Sequence, residues 1–171
     1  FSASNCIDDI AISTKDWPPD WVLVIHSRHR LDRDGNLAFA LRLLKKVSPP
    51  GRVFFSTEPA EADDYLAILD SADIGIAFYG EDSTIVLSKI NNQCMGYASG
   101  KINTYLQAGL PAIVNDYTNA GAWVQKSGCG VQVHTMDEIS TAIVEIEGNL
   151  TAYSNRAVDY FNNYLAIDSS C

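Results

Sequence analysis

The sequence predicts a Rossmann-like, doubly wound α/β domain built on a parallel sheet. Three observations lead to it. Short apolar runs alternate with amphipathic stretches from end to end, the order of successive strand–helix–strand crossovers. The runs are continuous, as in Trp21-Val22-Leu23-Val24-Ile25 and Ile74-Gly75-Ile76-Ala77-Phe78, the pattern of strands buried on both faces. The 171 residues show no internal repeat, linker or low-complexity tract, so one domain spanning 1–171, with room for a full core, is expected.

In order along the chain, Cys6 to Ser13 reads as a short helix and Trp21 to Ile25 as the first strand. Asn36 to Val47 places Leu37, Ala40, Leu41, Leu44 and Val47 on one helical face. Pro49-Pro50-Gly51 stops that helix. Val53-Phe54-Phe55 is the second strand, and Ala62, Tyr65, Leu66 and Leu69 make a second helical stripe. Ile74 to Phe78 is the third strand, followed by a long polar stretch from Tyr79 to Ser99. Gly100 to Gly109 reads as a helix, Ala112-Ile113-Val114 as a strand, and Ala120 to Lys126 as a helix. Gly130 to Val133 is a fifth strand, Met136 to Ile146 a helix, and Thr151 to Ala166 the last helix.

Composition narrows the function classes. A net charge of −9 argues against nucleic acid as a partner, because a phosphate backbone needs clustered Lys and Arg. No apolar run approaches the roughly 20 residues that cross a bilayer, and no basic segment precedes an apolar core as in a signal peptide. Cys6, Cys94, Cys129 and Cys171 are widely spaced and form no metal-ligand pattern. Free thiols in a reducing, cytoplasmic compartment are expected.

Ligands of such sheets sit beyond the carboxyl ends of the strands. The loops to inspect are His26 to Asn36, Ser56 to Ala60, Tyr79 to Gly100 and Asn115 to Asn119. Ser99-Gly100-Lys101 is the sharpest feature among them. The N–H groups of a first helical turn have no intrahelical acceptor and, with the helix dipole, favour an anion. Gly100 lets a phosphate come close. Ser99 caps the helix or donates its hydroxyl, and Lys101 adds a full charge. It is not a Walker A loop, since Met95 stands where that motif has glycine. By itself the triplet is equally an ordinary capped helix.

The longer stretch from Ser99 through Asn103, Thr104 and Gly109-Leu110-Pro111 to Val114 resembles the donor-site segment of GT-B glycosyltransferases, similar to glycosyltransferase family 4. Ser71-Ala72-Asp73-Ile74-Gly75-Ile76 upstream and Gly128-Cys129-Gly130-Val131 downstream extend the resemblance over residues 20–165. It implies that the chain is one half of a GT-B architecture, the carboxyl-terminal half. It further implies a nucleotide-diphosphate sugar, UDP-hexose such as UDP-glucose, bound for transfer to a saccharide or lipid-linked acceptor. Ser99, Gly100, Lys101 and Ile102, with Arg28 after the first strand, would hold the diphosphate. Ser56, Thr57, Glu58 and Thr104 would receive the base and ribose, and Tyr79 and Glu81 the sugar.

Thr104 stands where many relatives carry a ribose-binding glutamate, and a hydroxyl cannot accept two bonds as a carboxylate does. No catalytic residue is named by the sequence, and no metal or other cofactor is implied. His26, Arg30 and the acidic group Glu61, Asp63 and Asp64 read more simply as structural or solvated residues. Phe1 opens the chain where Met would be expected. The resemblance therefore leads to an upstream domain that presents the acceptor, and to a first strand before residues 1–5. The complete enzyme would work in the cytoplasm, at the inner face of a membrane through peripheral association. Two other readings stand beside it: a nucleotide-sugar-binding module without transferase activity, and a sugar-nucleotide epimerase of the same architecture. A receiver-like domain lacks its clustered acidic residues here.

Overall fold

The structure is a computed structural model that describes residues 6–26, 48–56, 64–80, 90, 94, 96–117 and 119–166. Five short strands are present: β1 (Leu23–His26), β2 (Val53–Ser56), β3 (Gly75–Ala77), β4 (Ala112–Asn115) and β5 (Gly130–Val133). The helices are α1 (Ile7–Ser13), α2 (Tyr65–Leu69), α3 (Gly100–Gln107), α4 (Asn119–Ser127), α5 (Glu138–Glu147) and α6 (Leu150–Tyr160). Short 3-10 turns cover Thr14–Asp16 and Gly96–Ala98. The expected helix over 36–47 lies outside the described residues.

All strand pairs are parallel, as expected, but the described strands form two ladders. One has the order β2-β1 and the other β3-β4-β5. In the doubly wound order 3-2-1-4-5-6 these strands correspond to positions 3-2 and 4-5-6. No described strand joins the two ladders.

The three-stranded ladder is covered on both faces. Ala77, Ala112 and Val114 face Ile102, Leu106, Val124 and Ala157 of α3, α4 and α6. Ile113, Val131 and Val133 face Ile10, Ile139, Ile143 and Ile146 of α1 and α5. Alternate residues of β4 thus enter different halves of the core, and Ala112, Ile113 and Val114 are all fully buried. Gly75 opens β3 because a Cβ there would overlap the Tyr105 ring of α3. Gly109, at φ 74°, takes the left-handed conformation that ends α3.

Two elements differ from their sequence patterns. The apolar run 21–25 reads as buried on both faces, yet β1 alternates: Leu23 and Ile25 pack beside Ala11, Val53 and Phe55, while Val24 is 58% exposed. Among the described residues the β1–β2 pair rests on α1 by one side only. The last helix leaves α geometry after Tyr160 and continues as a π-helical turn, Phe161–Leu165.

The segment after α1 is fastened by a residue of the turn before β2. The Arg52 guanidinium donates to the carbonyls of Thr14 (3.0 Å), Pro18 (3.0 Å) and Pro19 (2.7 Å), and also to that of Trp17.

Candidate functional site

The carboxyl end of β3 and the amino end of α3 meet at one place. Ser99, fully buried, has extended backbone and is the N-cap of α3. Its Oγ accepts from Ile102 N–H at 3.2 Å and is hydrogen-bonded to the Tyr79 hydroxyl. Tyr79 follows β3 and is buried. Its backbone is pinned to the end of β4: Tyr79 N–H donates to Asn115 Oδ1 at 3.0 Å, and Asn115 Nδ2 donates to Tyr79 O at 2.7 Å.

Lys101 folds back over this frame. Its Nζ lies 4.4 Å from the centre of the Tyr79 ring and donates to the Phe78 carbonyl at 3.3 Å. Burial pulls the Lys101 ammonium below its ordinary pKa, and the neighbouring Cys6 thiol opposes that shift. Burial likewise raises the Cys6 thiol, aided by Asp9, while Lys101 lowers it. A half-buried cation beside the first turn of a helix is a place where an incoming anion recovers lost solvation.

Several expected site residues come together here. Ser99, Gly100, Lys101 and Tyr79 share one corner, with Gly100 N–H ahead of the first intrahelical acceptor. Two change role. Ser99 turns its hydroxyl inward as a cap, and Ile102 gives its N–H to Ser99 and buries its side chain completely. Neither offers these groups outward. Thr104 donates its hydroxyl to the Gly100 carbonyl at 2.8 Å, so toward a ligand its oxygen can only accept. Ser56, at the end of β2, is hydrogen-bonded at 3.0 Å to Nδ1 of His26 at the end of β1. The His26 ring stands edge-on to Tyr65, 5.7 Å between centres. Arg28, Thr57, Glu58 and Glu81 lie outside the described residues.

Sequence reasoning missed Asn115, whose amide copies a strand's backbone pairing one step beyond the ladder. It also missed the pair at the ends of β4 and β5, where His134 Nδ1 meets Asp116 Oδ2 at 2.8 Å in the open. That carboxylate raises the His134 pKa. Both lie in strand-end loops, the one signal that could have drawn attention to them. Among the described residues no cluster of three His, Cys, Asp or Glu could hold a metal. No described helix is long and apolar enough to cross a membrane, and the three described cysteines, Cys6, Cys94 and Cys129, are free thiols.

Comparison with known proteins adds three findings. The family model described as "Glucosyltransferase 3-like, C-terminal domain" matches residues 53–166. No curated protein matches significantly. Among solved structures, the chain resembles WaaG, a glycosyltransferase involved in lipopolysaccharide biosynthesis, at 12% identity and a TM-score of 0.64. The match covers 95% of this chain and 41% of that one. It also resembles the Candida albicans trehalose-6-phosphate phosphatase N-terminal domain, at 12% identity and a TM-score of 0.54, over 94% of this chain and 36% of the other. The chain thus spans well under half the length of either, and the likeness is one of fold.

Proposed function

This chain belongs to the family of glucosyltransferase 3-like C-terminal domains, and from that membership we propose that it binds the nucleotide-diphosphate sugar of a glycosyltransferase. The donor is a UDP-hexose such as UDP-glucose. Its diphosphate lies against the amino end of α3, on Gly100 N–H and the Lys101 ammonium, with Arg28 as a further cation. Ser56, Thr57, Glu58 and Thr104 face the base and ribose. Tyr79 holds the frame and, with Glu81, borders the sugar.

One observation carries this reading: Lys101 is held half-buried beside the first turn of a helix, at the carboxyl ends of parallel strands. A departing diphosphate gains negative charge as the glycosidic bond breaks. A fixed cation and helix dipole already aimed there stabilise it without reorganisation. Counter-charge then comes from the protein, and a divalent metal is not required. The hexosyl group passes to a saccharide or lipid-linked acceptor presented by another domain, in the cytoplasm at a membrane face.

Thr104 favours a second reading. Without a carboxylate for the ribose, and with its proton spent on Gly100, the domain could hold nucleotide sugar as a binding module without transfer.

Calorimetry with UDP tests the core of the proposal. Lys101→Ala is expected to weaken binding by about tenfold or more, the worth of one charged hydrogen bond, with EDTA without effect. Equal affinity in wild type and variant removes Lys101 from the site. Sugar transfer by the enzyme joined to its acceptor domain separates the transferase from the module.

A further inference from the structure

A second feature lies on the other side of the Gly96–Ala98 turn. Four aromatic rings from separate elements cluster there. Tyr97 stacks on Trp123 of α4 (5.1 Å, 25°), Trp123 on Tyr160 of α6 (5.2 Å, 11°), and Tyr160 contacts Tyr164 of the π-helical turn (4.8 Å, 37°). Trp123 is 9% exposed, whereas Tyr97 is 57% exposed. The Tyr97 backbone is also tied down, its carbonyl accepting from Asn103 Nδ2 at 3.0 Å. Its ring is a rigid, open platform.

A groove of about 420 Å³ runs beside it, lined by Gly96, Tyr97, Asn119, Ala122, Trp123 and Lys126. The four α4 residues are spaced i, i+3, i+4 and i+7, a single helix face. At about 1.5 Å per residue the groove follows roughly 10 Å of helix. An amide stands at one end, an ammonium at the other and a small side chain between.

We propose that this groove binds a saccharide, one pyranose ring stacked on Tyr97 and its hydroxyls reaching Asn119 and Lys126. A pyranose has an apolar C–H face and a polar edge, which fits an aromatic platform open on one side with polar groups beside it. The groove shares no lining residue with the anion corner of α3, and the proposal does not depend on the nucleotide reading.

Maltose and cellobiose are the probes, followed by saturation-transfer NMR on the intact protein without nucleotide. Transfer to the C–H protons of one ring face is expected. Tyr97→Phe keeps it, and Tyr97→Ala weakens it about tenfold, the loss of one stacking contact. Ala122→Leu, at an exposed helical position, fills the groove and abolishes transfer, and it serves if Tyr97→Ala fails to fold. No transfer from either sugar at tens of millimolar, transfer indifferent to both variants, transfer from uridine instead, or self-association that depends on Tyr97 would each overturn the proposal. UDP affinity measured in the same variants stays at the wild-type value. Lost UDP binding with sugar binding intact strikes only the nucleotide reading, and the reverse strikes only this one.

Discussion

Lys101 is a cation in a place chosen against cations. Burial lowers its pKa, and the neighbouring Cys6 opposes that shift. The sign of the pH dependence follows. Only the protonated form attracts a diphosphate, so affinity is full below the Lys101 pKa and falls as pH rises through it. Because that pKa lies below an exposed lysine's, the fall begins earlier than for a surface residue. UDP affinity measured from about pH 7 to 10 is expected to decline for the wild type and stay level for Lys101→Arg, whose charge persists. A flat wild-type profile would mean that the ammonium does not face the anion. Ser99-Gly100-Lys101 was legible in the sequence because capping is local chemistry, written within four residues. The Tyr79–Asn115 bridge was not, since its partners stand 36 residues apart and only the fold makes them neighbours. The same distance hid the inward turn of Ser99, whose second partner, Tyr79, lies 20 residues earlier.

Elements were legible where a helix or strand is covered on the side its pattern predicts. Strands β4 and β5 stand within a residue of their apolar runs, and α3 stops at Gln107, two residues before the expected Gly109. Where coverage is one-sided the pattern misled: in β1 an all-apolar run serves an alternating role. The π-helical turn after α6 was not legible, because Phe161 and Leu165, four residues apart and packed on the core, read as one more turn of ordinary helix. Arg52 had the opposite fate. Sequence reading passed over it, yet it gathers four carbonyls of the 14–19 segment and so fixes how α1 enters β1. Arg52→Met keeps much of the stem and removes these bonds. It is expected to lower stability by about 2–3 kcal/mol, the scale of hydrogen bonds to a charged donor with their acceptors left partly buried. Urea unfolding would show it as a lower midpoint at unchanged slope. A loss below about 0.5 kcal/mol would mean that water replaces the guanidinium without cost.

At the scale of the molecule, the two ladders are held together by side chains. Leu23 of β1 packs against both the β1–β2 cluster and the cluster centred on Ile113, and α1 contributes Ile10 to one and Ala11 to the other. Tyr65 touches His26 at the end of β1 and lies near Tyr105 of α3. No described strand pairs with the facing edges of β1 and β3. Parallel alternation made the fold class plain from sequence, but not the strand order, because order is a property of pairing and each strand carries the same apolar signature. The pairing has a measurable consequence. β4 is paired on both sides and fully buried at three of its four residues, so its amides open only with global unfolding. β1 is paired with β2 alone, and Val24 and Phe54 on that pair are exposed. Native-state hydrogen exchange is therefore expected to rank β4 slowest and β1 fastest, by at least about tenfold for each 1.4 kcal/mol separating local from global opening. Equal protection in β1 and β4 would show that the side-chain bridge through Leu23 and α1 already joins the ladders into one cooperative unit.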